Sequence, residues 1–238
     1  MYPALPLSRQ TNTRDLGGIP IPGGETRQGQ FLRSGRLWGL TQADCALLYD
    51  YGVRCVVDLR SPFETSGNPS ALEGFPGVNY YNIPLNDQVH GAEGHFPSSL
   101  ESLYRTLLGE QESMARIFQA FLEFPEDCVL FNCTAGKDRT GLTAMLLLKL
   151  AGVSDEDVIL DYAATEQWSI PWEKAQRELT ALLGASPPEY IFRAKPDTMK
   201  ATLSLLETEY GGAASYLSSA GLSPADLSAL RRKLGAAG

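Results

Sequence analysis

A chain of 238 residues with 43% hydrophobic and 20% charged residues carries enough apolar material for one sizeable core, which excludes a disordered or fibrous class and predicts a single domain over 1–238. Its formal charge of -8 argues against nucleic acid or an anionic membrane surface as a bulk partner, so an anionic substrate must meet a local positive site. The start lacks a basic segment followed by an apolar one, and the longest apolar stretch, "AMLLLKLAGV", contains Lys149 and is too short to span a bilayer; a cytoplasmic protein without an integral membrane segment is expected.

Cys45, Cys55, Cys128 and Cys133 have no paired spacing and read as reduced thiols. In chain order, "GGIPIPGGE" at 17–25 reads as a loop and "QFLRSG" as a strand. Thr41 and Asp44 form a capping box that opens a helix ended by Gly52. "VRCVVDL" is apolar on both faces, the mark of an interior strand, and "VNYYNIP" is a third strand. Both histidines, His90 and His95, fall in the polar stretch 86–97, where they read as solvent-facing rather than as metal ligands, so neither metal nor cofactor is expected.

Helical stripes follow at Leu100, Leu103 and Leu107 and at Met114, Ile117, Phe118, Phe121 and Leu122; the segment 86–124 therefore reads either as a lid or as packed helix. "CVLFN" at 128–132 is a buried strand, and "TGLTAMLLLKLAG" is a helix apolar nearly all round, ended by Gly152. The part from 153 to 238 is helical: Ser154 caps one helix, "PWEKAQRELTALLG" has helical pattern, Met199, Leu203, Leu206 and Tyr210 form a stripe, and Ser223, Pro224 and Asp226 open a last helix. Together these predict an α/β fold with a central, mostly parallel sheet of four or five strands, helices on both faces and a helical C-terminal layer.

Between the buried strand and the buried helix lies "CTAGKDRTG", residues 133–141. A loop entering a helix presents N–H groups where the macrodipole favours negative charge, which makes an anion cradle. Cys133 stands at its start, where the same donors stabilise a thiolate nucleophile. Arg139 returns after one circuit and can grip two phosphate oxygens in a fork. Gly136 suits a close approach, and Thr140 can offer its hydroxyl to the sulfur. A nucleotide-binding G-x-x-x-x-G-K-[ST] loop is excluded by Phe131 and Asp138.

C-x-x-x-x-x-R followed by Thr resembles the signature loop of cysteine-dependent protein tyrosine phosphatases, and more narrowly the bacterial family whose loop reads H-C-x-A-G-K-D-R-T-G. "NTRDLGG", "LRSGRL", "GVRCVVDLRSPFE", "DVILDYAAT" and the C-terminal "GGAASYLSSAGLSPADLSALRRKL" are similar to that family too. The resemblance implies a phosphatase-like fold and metal-independent hydrolysis of phosphate monoesters through a phosphocysteine. The substrate would be a phosphorylated protein, most simply at tyrosine, with phosphoserine, phosphothreonine or phosphoinositide activity in the same family. Cys133 would be the nucleophile and Arg139 the phosphate clamp, with Thr134, Ala135, Gly136, Lys137 and Asp138 completing the cradle. The general acid would be Asp138, inside the loop, or Asp87, after the third strand.

One departure is Asn132, where the family usually has His; an amide can still hydrogen-bond the loop backbone but brings no imidazole. Lys137 reads either as positive charge at the mouth of the site or as a solvated loop charge. Arg14 and Asp15 are expected to brace the loop, and Asp58, Arg60 and Glu64 to form an internal ion-pair network. A rhodanese-like sulfurtransferase also keeps a cysteine in a loop cradle, without the Arg-Thr-Gly ending. A non-catalytic phosphate-binding module is suggested by Asn132 alone, against Cys133 and Arg139.

Overall fold

The structure is a computed structural model that describes residues 4–9, 11–85, 97–184 and 186–236. The described elements run β1 (Arg14–Asp15), β2 (Pro20–Ile21), β3 (Gly24–Glu25), β4 (Phe31–Ser34), α1 (Gln42–Asp50), β5 (Val53–Asp58), α2 (Pro62–Gly67), β6 (Asn79–Asn82), α3 (Leu100–Gly109), α4 (Gln111–Leu122), β7 (Cys128–Asn132), α5 (Asp138–Ala151), α6 (Asp155–Ala163), α7 (Thr165–Trp168), α8 (Trp172–Leu183), a 3₁₀ turn (Glu189–Phe192), α9 (Pro196–Tyr210), α10 (Ala213–Ser219) and α11 (Pro224–Lys233). The segment 17–25, expected to be a loop, holds the two-residue ladder of β2 and β3. α10 was not read from periodicity, because Gly211 and Gly212 interrupt the pattern before it.

Five strands form the central sheet in the order β1-β4-β7-β5-β6, with β4, β7, β5 and β6 parallel and β1 an antiparallel edge. The interior strands are apolar on both sides because both sides are covered. Val129 and Phe131 of β7 face one core cluster with Cys55 and Val57 of β5, while Cys128 and Leu130 face the other with Val53 and Val56. Each fully buried Val, Leu or Phe contributes ~1.5–3 kcal/mol, so the alternation fixes the register of the central strands. On the larger face pack α3, α4 and α5 with the C-terminal helices; α1 and the turns around Leu37 and Leu72 cover the other.

α3 and α4 are packed helix: Leu103, Tyr104, Leu107, Ile117, Phe118 and Phe121 are all buried. Asp87, His90 and His95 lie outside the described residues. The local signals that open the helices are present as the sequence predicts, with reciprocal capping boxes at Thr41 and Asp44 and at Ser223 and Asp226, and a side-chain cap at Ser154. Among the described residues no helix is long and apolar enough to cross a membrane.

Candidate active site

Strand register decides where the site lies. Ser34 of β4, Asn132 of β7 and Asp58 of β5 end at one level, Asn132 being paired with both neighbours. The loops leaving all three strands therefore converge at the carboxyl edge of the parallel sheet, where open α/β folds bind ligands. β7 is central, and its loop runs directly into α5, whose first turn has no side-chain cap.

That loop folds back on its own sulfur. The Gly136 N–H donates to Cys133 Sγ at 3.2 Å, and Cys133 is buried at the floor of a cavity of about 280 Å³. Gly136 has φ +69°, and a Cβ there would stand 2.6–2.8 Å from backbone atoms of Ser34 and Gly35, so glycine is required.

For loop N–H groups to face a ligand, the carbonyls of the same peptides must point away and be satisfied behind. Asn12 Nδ2 donates to Ala135 O at 3.2 Å and to Gly136 O at 3.0 Å, and Arg33 Nη2 donates to Gly136 O at 2.8 Å. Asn12 adopts φ 58° to do so, a conformation that asparagine tolerates better than most side chains. Beneath it, Arg14 and Arg33 share the single carboxylate of Asp161, all three buried, with Arg14 Nε at 2.9 Å. Arg14 also donates to Asn12 Oδ1. Burial, followed by the neighbouring Arg33 charge, pulls Arg14 down to about 10. Two guanidiniums on one carboxylate leave an excess positive charge under the cradle, which a bound anion would offset.

These contacts correct the expected bracing. Arg14 acts one step removed, through Asn12, and Asp15 accepts bonds from Gly17 N, Gly29 N and Tyr51 Oη, away from the loop. The residues that touch the loop carbonyls are Asn12 and Arg33. They lie within the quoted "NTRDLGG" and "LRSGRL" segments, but local spacing does not reveal partners more than a hundred residues away.

Glu64 has a second set of partners. Asp58 and Arg60 pair as expected, at 2.7 Å, and both are buried. The charge of Glu64 bears on Arg60 too, and the capping box with Ser61 in the first turn of α2 also aims Glu64 at the signature loop. Its carboxylate takes Arg139 Nη1 at 2.7 Å and Nη2 at 3.0 Å, and Thr134 Oγ1 at 2.6 Å. Burial pushes this carboxyl up, but the Arg139 bonds and charge, with those from Thr134 and the Ser61 N–H, outweigh it and hold Glu64 well below its ordinary range. Glu64 thus fixes the plane of the Arg139 fork.

Thr140 Oγ1 donates to Ser34 O at 3.3 Å, so its proton is spent on the backbone and not on the sulfur. Asn132 is buried, and among the described residues neither its Oδ1 nor its Nδ2 has a partner, so the expected bond to the loop backbone is not made. Lys137 is neither solvated nor at the mouth: only 2% exposed, its ammonium donates to the carbonyls of Ile191 and Arg193, the latter at 3.1 Å, and pairs with Asp138 Oδ1 at 3.1 Å. Asp138 Oδ1 further accepts from Tyr104 Oη at 2.8 Å. Burial, then the Asp138 charge, raises Tyr104 well above its ordinary value, so it remains a neutral donor.

The cavity above the loop is walled by Trp38, Ile170, Trp172, Leu179, Ile191 and Phe192, and Arg36, Asp138 and Glu178 bring charge to it. An anion cradle under apolar and aromatic walls can hold a phosphate ester of an aryl group and keep water from its sides.

Residues 5–236 match the tyrosine phosphatase family. The chain is 33% identical over 220 residues to the tyrosine-protein phosphatase of Nostoc commune, covering 87% of this chain and 75% of that one. It is 25% identical over 252 residues to the triple specificity protein phosphatase PtpB of Mycobacterium tuberculosis, covering 86% and 90%. The chain belongs to the tyrosine phosphatase family and is a phosphatase.

Proposed function

We propose that this chain hydrolyses phosphotyrosine in proteins in two steps through a phosphocysteine at Cys133. The observation that carries the reading is the position of Cys133 Sγ: it lies inside the turn of its own loop, bonded by the Gly136 N–H, at the floor of a cavity with aromatic walls. In the first step the thiolate attacks phosphorus as the phosphorus–oxygen bond to the tyrosyl ring breaks, and the phenolate takes a proton from the Asp138 carboxyl. In the second, the Asp138 carboxylate takes a proton from water as that water attacks phosphorus, and the phosphorus–sulfur bond breaks to return the thiolate.

The other parts supply charge and orientation. The N–H groups of Thr134 through Arg139 bind the non-bridging oxygens, while the Arg139 fork, set by Glu64, matches the charge that spreads over them in the transition state. Asp138 is assigned the acid because it lines the cavity, and Tyr104 and Lys137 both hold its Oδ1, orienting the carboxyl. No step needs a metal or cofactor.

The mycobacterial relative's name, a triple specificity protein phosphatase, supports a second reading in which more than phosphotyrosine is accepted, with phosphoserine, phosphothreonine and phosphoinositides as the candidates to test. Phosphate release from phosphotyrosine and phosphoserine peptides and from phosphoinositides, in EDTA, separates them. The expected result is release fastest from phosphotyrosine and absent in Cys133→Ser; release that survives in Cys133→Ser would refute the mechanism. Asp138→Asn should slow poor leaving groups far more than p-nitrophenolate, and equal slowing of both would remove Asp138 as the acid.

A further inference from the structure

Two cations flank the phosphate cradle without belonging to its Arg139 clamp, and their surroundings differ. Lys137 is fully committed. Its ammonium is buried and bonded to two backbone carbonyls of the 189–193 segment and to Asp138, so it has no donor to offer a substrate and acts as a strut between loop and wall. Arg36 lies in the same cavity and is half-buried. Among the described residues its guanidinium makes no hydrogen bond and no ion pair; it stacks 5.1 Å from the centre of the Trp38 ring.

Stacking uses the face of a guanidinium and leaves its in-plane donors available. The charged groups that bear on Arg36 are Glu178 of α8, across the cavity, and Arg9; burial, the largest effect, disfavours its charge. In a chain of net charge -8, a half-buried cation with unused donors beside the phosphate site is the natural receptor for a second negative group.

Resting on the proposed phosphotyrosine activity, we propose that Arg36 is a specificity-determining residue that receives an acidic side chain adjacent to the phosphotyrosine, and that Lys137 plays no part in reading substrate charge. A peptide is favoured over an inositol headgroup by the walls. Trp38, Trp172 and Phe192 suit an aryl ring, and among the described residues lining the cavity Arg36 is the one cation that makes no hydrogen bond or ion pair, too few for the several phosphates of an inositol headgroup.

The test is a comparison of kcat/KM for phosphotyrosine peptides that differ only in an acidic, neutral or basic neighbour, in wild type, Arg36→Met, Lys137→Met and Glu178→Gln. Wild type should prefer the acidic over the neutral peptide by about fivefold. Arg36→Met should bring the two to parity, Lys137→Met should lower all three by one common factor, and Glu178→Gln should widen the preference by removing the competing carboxylate. Because each variant is judged by the ratio of its own two rates, loss of folded protein does not mimic the effect.

A wild type indifferent to the neighbour, an unchanged ratio in Arg36→Met, or a ratio lost in Lys137→Met would each overturn the proposal. So would Arg36→Met slowing a soluble inositol polyphosphate more than the acidic peptide. Turnover of the neutral peptide that depends on Cys133 stands or falls separately, and reports on the proposed activity itself.

Discussion

The floor and the wall of the cavity are built on opposite plans. Under the floor, Arg14, Arg33, Asp161 and Asn12 are buried and joined by bonds that span the chain from residue 12 to 161. The wall helix α8 has no side-chain N-cap and no buried residue among its described side chains, and Lys137 ties the loop not to α8 but to the backbone of the neighbouring wall segment at 191 and 193. On the proposed mechanism the floor must hold donors in one geometry for charge that develops in the transition state, and the wall need only shape access. Rigidity is therefore concentrated where a small displacement would be most costly.

If that division holds, damage to the floor should lower turnover or stability and damage to the wall should alter binding. Arg139→Lys, which keeps charge but loses the fork, should lower kcat for a phosphotyrosine peptide by about 10³-fold at little cost in folding; a loss under tenfold would show that the planar clamp is not the source of stabilisation. Asp161→Asn leaves two guanidiniums buried without their carboxylate and should destabilise by ~3–5 kcal/mol, measured by urea unfolding. Stability within ~1 kcal/mol of wild type would remove Asp161 as the anchor.

Asn12→Ala leaves the carbonyls of Ala135 and Gly136 short of donors and places alanine at a positive φ; about a tenfold fall in kcat is expected, with KM little changed. Trp172→Ala, on the wall, should do the reverse, raising KM for the peptide a few-fold at nearly constant kcat. If Trp172→Ala lowers kcat as Asn12→Ala does, floor and wall are not separable.

The smallest effect is on pH dependence. Glu64 and Asp161 have carboxyls held below their ordinary values, 4.5 and 3.8, by neighbouring guanidiniums that outweigh the cost of burial. The unfolded chain therefore binds protons more readily as pH falls through those values, so this stabilisation is complete above about 4.5 and is lost progressively on acidification below it. Glu64→Gln should flatten that part of the stability profile, and an unchanged slope between pH 5 and 3 would contradict the assignment.

What could be read from sequence was what is local. Capping boxes, the apolar run 128–132 and the all-round apolar helix behind it are set within a few residues, and the C-x-x-x-x-x-R loop carries its chemistry in seven. What could not be read was partnership at a distance. The roles of Asn12, Arg33 and Asp161 arise because β1, β4 and α6 meet behind one loop, and Glu64 faces Arg139 because the cap at Ser61 turns it there. The burial of Lys137 is hidden from the sequence for the same reason: its two carbonyl acceptors lie more than fifty residues on, in and just after a 3₁₀ turn that periodicity does not reveal.

The most direct test of the central claim is to quench the protein in acid during turnover of a phosphotyrosine peptide and map the phosphoryl group by mass spectrometry. One phosphoryl group on Cys133, absent in Cys133→Ser and accumulating when attack by water is slowed, is the predicted result. Turnover at full rate with no phosphoryl group on Cys133, or with it on another residue, would contradict the account.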